Sequence, residues 1–314
     1  MHLLIPYAAS HHTDCLAMLP SLNLPHVQKL LPQLDALPLD AGDELSFSPP
    51  HERALAAGLG LPSADGQIPW AAWQAQQQAE LAHLSGAWGW VTLCHWQATA
   101  HQVTLRQLPM QDLLPAESTQ LLAAMQPFFN EDGLTLYPQA PGHWLACGQA
   151  LADLRCASPD RVLGRNLEPW MPQADHASSL IRLMSEMQML LYNHPVNDAR
   201  ERRGALPVNA FWLSGTGTLP HHSPAPKPVA PTVVNTLRQP ALAADWQSWA
   251  QAWQALDAQH GQALLQAHAQ GQAVQLTLCG ERHAQTWRSQ PRTLWQKIQH
   301  LFGTQRLSDL LKQL

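Results

Sequence analysis

Charged side chains are scarce in this sequence, and those it has are not predominantly basic. Asp, Glu, Lys and Arg together make up 13% of the 314 residues, and the formal net charge is −5. Proteins that bind nucleic acids normally neutralise the phosphates with a positively charged surface. The composition therefore argues against a nucleic-acid partner.

Cysteine is also sparse. The five residues lie far apart, their number is odd, and no two of them form a C-x-x-C pair. Disulfide frameworks normally need an even number of cysteines, and zinc or redox sites need close pairs. The sequence therefore predicts reduced thiols, which are typical of the cytoplasm.

Long apolar runs are absent as well. No stretch approaches the roughly 18 residues that a membrane-spanning helix needs. The first residues, MHLLIPYAASHHTD, have no basic start and only a short apolar run, so they do not resemble a signal peptide. The chain also lacks the G-x-S-x-G and H-E-x-x-H motifs of common hydrolases. We therefore expect a cytoplasmic protein with no membrane association.

Apolar residues are plentiful, at 46%, and 13 of the residues are tryptophan. The length predicts two domains, or one core with a large insertion. An Ala- and Gln-rich tract predicts a helix over 241–270. Within it Trp246, Trp249 and Trp253, spaced three and four apart, predict a core face rather than a stacking platform for sugars or bases. Strand patterns that alternate with helices predict an α/β sheet.

The stretch from Met187 to Gly217 combines a helix end, a basic turn, an apolar strand and a Gly-Thr-Gly turn. Three arginines fall within four residues there, and the planar guanidinium suits phosphate or carboxylate. The alternative is a solvated turn in which Asp198 and Glu201 balance the charge. The Gly-Thr-Gly turn is compatible with a phosphate cradle, and equally with the simple end of a strand.

A second candidate site follows the predicted strand that ends at Cys279. Open α/β sheets place their chemistry at the carboxyl ends of strands, and Glu281 and His283 come directly after this one. Both side chains are capable of acid–base or ligand roles. A loop in which Glu281 pairs with Arg282 is the structural alternative.

Several of these motifs resemble a known family. The run from His194 to Asn197, the basic turn after it and the Gly-Thr-Gly turn resemble the archaeal-type cofactor-independent phosphoglycerate mutases, over about Leu113 to Gly217. The strings SEMQMLL, HPVNDAR and LTLCGER resemble the RpfE-type bacterial regulatory proteins, which share this region.

The resemblance implies a fold and a chemistry. The fold is an alkaline-phosphatase-like mixed sheet flanked by helices, with an inserted α+β domain. We expect the core to be formed by residues 1–110 and 205–314, and the insertion by residues 111–204. The chemistry of these mutases uses a Ser nucleophile and two divalent metals, which clamp the attacking and leaving oxygens.

The sequence departs from the family at the metal ligands. The family's Asp-His pair is replaced in this chain by Glu281-Arg282. The first strand lacks the family's Asp-Gly turn, and only Ser10 and Asp14 are available in its place. We therefore expect no metal, no cofactor and a non-catalytic binding or regulatory role, with a phosphorylated small molecule or a protein as partner. The resemblance leaves an anion-binding group comprising His194, Asn197, Arg200, Arg203, Asn209, Gly215 and Gly217.

Two alternatives stay open. The first is a divergent phosphotransferase or phosphatase, in which Ser10 or Thr13 is the nucleophile and Glu281 and His283 belong to an altered site. Its other members would be His11, His12 and Asp14. This hypothesis requires two distant parts of the chain to meet, since reacting groups must approach to about 3 Å. The second is a protein-interaction module built from the Trp-rich helices and an extended Pro-rich loop over 218–231.

Overall fold

The computed structural model describes residues 1–61, 64–109, 112–174, 177–219, 230–290 and 306–314. They form two compact units. Unit 1 contains residues 1–44, 49–60 and the described part of 226–314, and unit 2 contains residues 45–48 and the described part of 61–225.

The strands, in chain order, are β1 (His2–Ile5), β2 (Asp35–Ala36), β3 (Trp88–Ala98), β4 (Val103–Gln107), β5 (Thr135–Ala140), β6 (His143–Cys147), β7 (Ala210–Gly217), β8 (Thr232–Val233), β9 (Gln275–Cys279) and β10 (Ala284–Arg288). The helices are α1 (Thr13–Met18), α2 (Pro25–Leu30), α3 (Pro50–Leu59), α4 (Trp70–Gln76), α5 (Pro115–Glu131), α6 (Pro159–Val162), α7 (Ala177–Tyr192), α8 (Pro195–Arg202), α9 (Arg238–Leu242), α10 (Trp246–Leu256), α11 (Gln262–Ala269) and α12 (Leu307–Leu311).

Unit 1 is built on a mixed sheet with the strand order β2-β10-β9-β1-β8. β1 is parallel to both β8 and β9, whereas β10 is antiparallel to β9 and β2. Leu3, Leu4 and Ile5 of β1 are all buried. Such a continuous apolar run is typical of a strand whose two faces are both covered. The predicted α/β architecture is confirmed.

The tryptophans of α10 belong to the core of unit 1. Trp249 and Trp253 are fully buried and Trp246 nearly so, which confirms the core-face prediction and contradicts the use of these three side chains as an exposed interaction surface. The predicted helix over 241–270 is interrupted. α10 begins only at Trp246, because the Asp245 side chain accepts a hydrogen bond from the Ser248 backbone N–H and so caps the helix.

Unit 2 is built on an antiparallel sheet around the long strand β3. β7 pairs with one edge of β3, while β6 and then β4 pair with the opposite edge, and β5 continues the sheet beyond β6. β3 and β4 form one antiparallel hairpin, and β5 and β6 form another. One face is covered by α5 and α7, whose apolar side chains pack on Leu93, Trp144 and Phe211.

The bounds of the two units differ from those expected from the sequence. β3 and β4 lie before residue 110, and β7 lies after residue 204, yet all three belong to unit 2. The reason is strand pairing, since β3 forms its long ladders with β6 and β7. Residues 220–229 of the Pro-rich loop and residues 291–305 lie outside the described residues.

Two further observations concern the environment of the chain. All five cysteines are free thiols, and burial raises the pKa of each of them. Within the described parts of the chain, no helix is long and apolar enough to cross a membrane.

Candidate ligand site at the strand ends of unit 1

The parallel strands β1 and β9 end at the same edge of the unit 1 sheet. Directly after β1, Tyr7 adopts a left-handed backbone conformation with φ of 57°, which is costly for a bulky residue. The indole N–H of Trp249 donates to the Tyr7 carbonyl at 2.9 Å, and that of Trp253 donates to the Ala8 carbonyl at 3.1 Å. These bonds fix the loop that leads to Ser10.

Ser10 lies against Glu281 from the loop after β9. The Ser10 hydroxyl donates to Glu281 Oε1 at 2.7 Å and accepts from the His12 backbone N–H at 3.1 Å. The His11 backbone N–H donates to Glu281 Oε2 at 3.3 Å. The residue Ser10 is only 7% exposed. The two distant regions that the phosphotransferase hypothesis requires therefore do meet.

Histidines surround this pair in different roles. His11 Nδ1 lies 3.4 Å from Glu281 Oε2. His12 Nδ1 accepts from the Asp14 backbone N–H at 3.3 Å, so His12 caps α1. His283 accepts from the Gly42 backbone N–H through Nδ1 at 3.2 Å, which leaves its proton on Nε2 when the ring is neutral.

Burial and the positive charges around His283 favour its neutral form. Burial lowers the pKa of His283, and the nearby charges of Arg53, His11 and Arg282 lower it further. The neutral ring then presents Nε2–H as a hydrogen-bond donor. His283 is therefore suited to binding an acceptor rather than to carrying charge.

Two more carboxylates at this edge are paired with arginines. Arg53 Nε donates to both oxygens of Asp40, at 3.2 and 3.1 Å, and Arg53 Nη2 donates to the Arg282 carbonyl at 3.0 Å. The Arg282 guanidinium donates to Glu44. The chain thus supplies its own cations to the carboxylates at the end of the sheet.

This donor set does not fit the two divalent metals that the family resemblance implies. The three carboxylates Asp40, Glu44 and Glu281 accept N–H or O–H donors from the chain itself. Among the residues that the structure describes, no group of three His, Cys, Asp or Glu side chains is arranged to hold a metal ion. Arg282 adds a permanent positive charge beside Glu281.

The arginines of the predicted anion-binding group form a different cluster, in unit 2, around Glu117. Arg200 is fully buried, and its Nη1 donates to Glu117 Oε2 at 3.0 Å while its Nε donates to the Leu206 carbonyl at 2.7 Å. Arg203 donates through both terminal nitrogens to the same carboxylate. The Arg203 hydrogen bond lowers the pKa of Glu117 to about 2, and the Leu114 backbone N–H and Arg200 act in the same direction.

The two asparagines of the predicted anion-binding group, Asn197 and Asn209, form hydrogen bonds with the backbone. Asn197 Nδ2 donates to the carbonyls of Leu191 and Val208, and Asn197 Oδ1 accepts from the Val208 N–H. Asn209 makes the equivalent pair of bonds with the backbone of Trp96 in β3. His194 Nδ1 caps α8 by accepting from the Val196 N–H at 3.2 Å, and burial lowers the pKa of His194.

Gly215 and Gly217 do not join this cluster, which corrects the expectation of one anion site. They lie towards the far end of β7, five and seven residues after Ala210, which corresponds to about 17 and about 23 Å at about 3.3 Å per residue. Gly215 has a φ of 61°, and a Cβ there would lie 3.0 Å from Trp70 Cβ. The ladder between β3 and β7 shifts register at this end, so the glycines serve a β-bulge.

Sequence reasoning missed the acid that balances the arginines. Glu117 lies 83 positions before Arg200, whereas Asp198 and Glu201 were the expected partners. A signal was present, because Glu117 is the third residue of α5 and binds the Leu114 N–H at its start at 3.0 Å, as a glutamate at that helix position commonly does. Its second role towards α8 follows only from the fold.

Part of the chain is similar in sequence to archaeal phosphoglycerate mutases. A match of 110 residues, 34% of this chain, is 26% identical to the 2,3-bisphosphoglycerate-independent phosphoglycerate mutase of Methanosarcina barkeri and covers 28% of that protein. A match of 95 residues, 27% of this chain, is 30% identical to the 2,3-bisphosphoglycerate-independent phosphoglycerate mutase 1 of Archaeoglobus fulgidus and covers 23% of it. Each match thus spans less than a third of the relative's length. No protein-family model matches the chain.

Two solved structures give matches over most of the chain. The cofactor-independent phosphoglycerate mutase of Thermoplasma acidophilum aligns with a TM-score of 0.38 and 14% identity, over 100% of this chain and 99% of that one. A Pyrococcus horikoshii protein aligns with a TM-score of 0.39 and 11% identity, over 92% of this chain and 87% of that one.

Proposed function

We propose that this phosphoglycerate-mutase-like chain binds a phosphorylated small molecule at the strand ends of unit 1 and does not transfer its phosphoryl group. The observation that carries the proposal is the exposed guanidinium of Arg282, next to His283 on the loop whose Glu281 accepts from the Ser10 hydroxyl. The partial sequence similarity to phosphoglycerate mutases suggests the class of ligand.

The charge beside Ser10 disfavours phosphoryl transfer. A phosphate bonded to Ser10 Oγ would bring its charged oxygens close to the Glu281 carboxylate. Two like charges 4 Å apart near a protein surface repel by about 4 kcal/mol. Arg53, the less exposed arginine at this edge, is already paired with Asp40.

The outer part of the site is better suited to binding. The Arg282 side chain is 38% exposed, and a guanidinium has five N–H donors in a geometry that matches phosphate. The His283 ring adds the Nε2–H donor of its neutral form. A phosphate ester bound there would lie on the solvent side of the Ser10–Glu281 pair.

Calorimetric titration of the purified protein with phosphoglycerate tests the proposal. We expect saturable binding with the ligand recovered unchanged, weakened at least about tenfold by Arg282→Ala through loss of a charge-assisted hydrogen bond. Arg203→Ala is the matched control in unit 2 and should leave the affinity unchanged. Binding that is lost in Arg203→Ala and kept in Arg282→Ala would instead place the ligand at the arginine cluster.

A regulatory role in the cytoplasm belongs to the same proposal, with the bound ligand or a protein as partner. The five free thiols support a reducing compartment. A ligand that shifted the stability of unit 1 would let the protein signal the concentration of that ligand.

The second candidate is a divergent phosphatase or phosphotransferase, and the Ser10–Glu281 contact favours it. In this mechanism Glu281 accepts the Ser10 proton while Oγ attacks phosphorus and the ester oxygen leaves. The repulsion described above counts against it. Turnover that disappears in Ser10→Ala would establish this candidate and exclude the first.

A further inference from the structure

We infer that the segment 306–314 regulates ligand binding in unit 1 by occupying an anion site at the end of β9. The donors of this site are the successive backbone N–H groups of Arg282 and His283, which suit a phosphate or carboxylate oxygen. This inference rests on the proposed function, because the same loop carries the side chains that bind the ligand there. It adds that the segment and an anion compete for the same two donors.

Both N–H groups donate to one oxygen. The N–H of Arg282 lies 3.1 Å from the main-chain oxygen of Leu314, and the N–H of His283 lies 3.0 Å from the same atom. Successive N–H groups that converge on one point form a concavity that attracts anions. Open α/β sheets bind their ligands beyond the carboxyl ends of the strands, which is where this loop lies. The loop therefore presents an anion site that an oxygen of the chain itself fills.

The loop has other bonds that hold the two donors in position. The Gly280 N–H donates to the His283 carbonyl at 3.0 Å, which closes the turn between β9 and β10. The Arg282 carbonyl accepts from Arg53 Nη2 at 3.0 Å. Neither bond involves the segment 306–314, so the donors keep their places when the segment leaves. Donors that are fixed in advance bind a ligand at a smaller entropic cost.

Gly280 is required by the close approach of the segment. A Cβ built at Gly280 would lie 2.4 Å from the main-chain carbon and oxygen of Leu314 and 2.6 Å from Leu314 Cβ. The φ angle of Gly280 is not in the left-handed region, so the backbone there accepts other residues. A side chain at position 280 therefore displaces Leu314 without straining the turn.

The segment is attached to unit 1 through one apolar face. Leu307, Leu311 and Leu314 are buried in the core of the unit, whereas the ion pair between Lys312 and Asp309 joins two residues of the segment itself. Its helix α12 has only five residues and is too short to be stable alone. Leu307 also lines a pocket of about 720 Å³, so α12 is not closely packed on that side. Segments with few buried contacts open locally while the rest of the unit stays folded.

The test combines hydrogen–deuterium exchange of the full chain with calorimetric titration of inorganic phosphate. In Gly280→Ala we expect the amides of residues 306–314 to exchange at least about tenfold faster than in the wild type, because the new Cβ displaces Leu314. The same variant should bind phosphate at least about tenfold more tightly, since its donors are no longer occupied. In the wild type, added phosphate should accelerate exchange in the segment, because it binds the open form.

Gly271→Ala is the matched control. Gly271 also belongs to unit 1, and no described atom lies within 4 Å of a Cβ built there. This variant should show the segment exchange and the phosphate affinity of the wild type. If circular dichroism shows that Gly280→Ala is unfolded, Leu311→Ser decides, because it removes a buried contact of the segment. Its control is Gln313→Ser, at an exposed position of the same segment.

A folded variant with a released segment and unchanged phosphate affinity would overturn the inference. The failures of the two proposals are distinguishable. Phosphate binding that appears only when the segment is released supports the inference even if the wild type binds no phosphoglycerate. Conversely, a wild type that binds phosphoglycerate through Arg282, with the same affinity in Gly280→Ala, excludes the inference and leaves the proposed function standing.

Discussion

Ser10 Oγ and Glu281 Oε1 lie 2.7 Å apart, although 271 positions separate the two residues in the chain. The contact exists because β1 and β9 are neighbouring parallel strands, which bring their carboxyl ends to one edge of the sheet. The same hydroxyl accepts from His12, so Ser10 links the loop after β9 to the start of α1.

The first prediction concerns this link. Ser10→Ala should lower the free energy of unfolding of unit 1 by about 2 kcal/mol, because it removes a hydrogen bond to a carboxylate and leaves the His12 N–H without its acceptor. Urea unfolding followed by circular dichroism measures the change. Thr236→Ala is the control, at an exposed position of the same unit. Equal stabilities of the two variants would show that Ser10 contributes nothing to the fold.

The second prediction concerns the left-handed residue Tyr7 and the indoles that hold its loop. Trp253→Phe keeps an aromatic ring but removes the N–H that donates to the Ala8 carbonyl. We expect the free energy of unfolding to fall by about 2 kcal/mol, because the Ala8 carbonyl loses its donor and the ring is smaller. Trp73→Phe, at a half-buried position of α4, should cost clearly less. Similar losses in the two variants would contradict a role for the indole hydrogen bond.

The third prediction concerns how the stability of unit 2 decreases as the pH falls. The pKa of Glu117 is about 2 in the folded chain against an ordinary value of 4.5. A depressed pKa contributes stability that is complete above about pH 5 and is lost as the pH falls towards 2. The shift corresponds to about 3 kcal/mol.

Glu117→Gln should therefore be less stable at neutral pH and lose little further stability between pH 5 and pH 2. Removing this charge also leaves Arg200 buried without its counter-ion, at a cost of about 3–5 kcal/mol. Glu201→Gln, at an exposed position of α8, should lose stability between pH 5 and pH 2 as the wild type does. Parallel pH profiles for wild type and Glu117→Gln, from thermal melts, would refute the assignment.

The fourth prediction separates backbone strain from packing at the β7 bulge. Gly204 and Gly215 have similar positive φ angles, 74° and 61°. No described atom lies within 4 Å of a Cβ built at Gly204, whereas one at Gly215 meets Trp70 and Trp90. Gly204→Ala should cost about 1 kcal/mol from strain alone, and Gly215→Ala about 2–4 kcal/mol. Equal costs in urea unfolding would mean that β7 and α4 move apart readily.

Local patterns in the sequence predicted much of this structure. The spacing of Trp249 and Trp253 predicted the buried face of α10, and the strand predicted to end at Cys279 is β9. What the sequence could not provide was the pairing of distant segments. The ladder between β3 and β7 joins residues more than 100 positions apart, and it is this pairing that moves β3 and β4 into unit 2.

The candidate sites show the same limit. Three arginines close in sequence suggested an anion site, but Arg200 and Arg203 pair with Glu117 on another helix, and backbone carbonyls take up further donors. Conversely, Ser10 and Glu281 were candidates in separate loops, and only parallel pairing of β1 with β9 brings them into contact. Residue type predicted the chemistry of each group, whereas the fold determined its partners.

The most direct test of the proposed function is phosphorus NMR of phosphoglycerate incubated with the purified chain in the presence of added Mn²⁺ and Mg²⁺. We expect the ligand spectrum to broaden or shift on binding, while no new phosphate or phosphoglycerate isomer appears beyond the amount seen with Ser10→Ala. Metal-dependent formation of either product by the wild type, abolished in Ser10→Ala, would contradict it and establish Ser10 as a nucleophile.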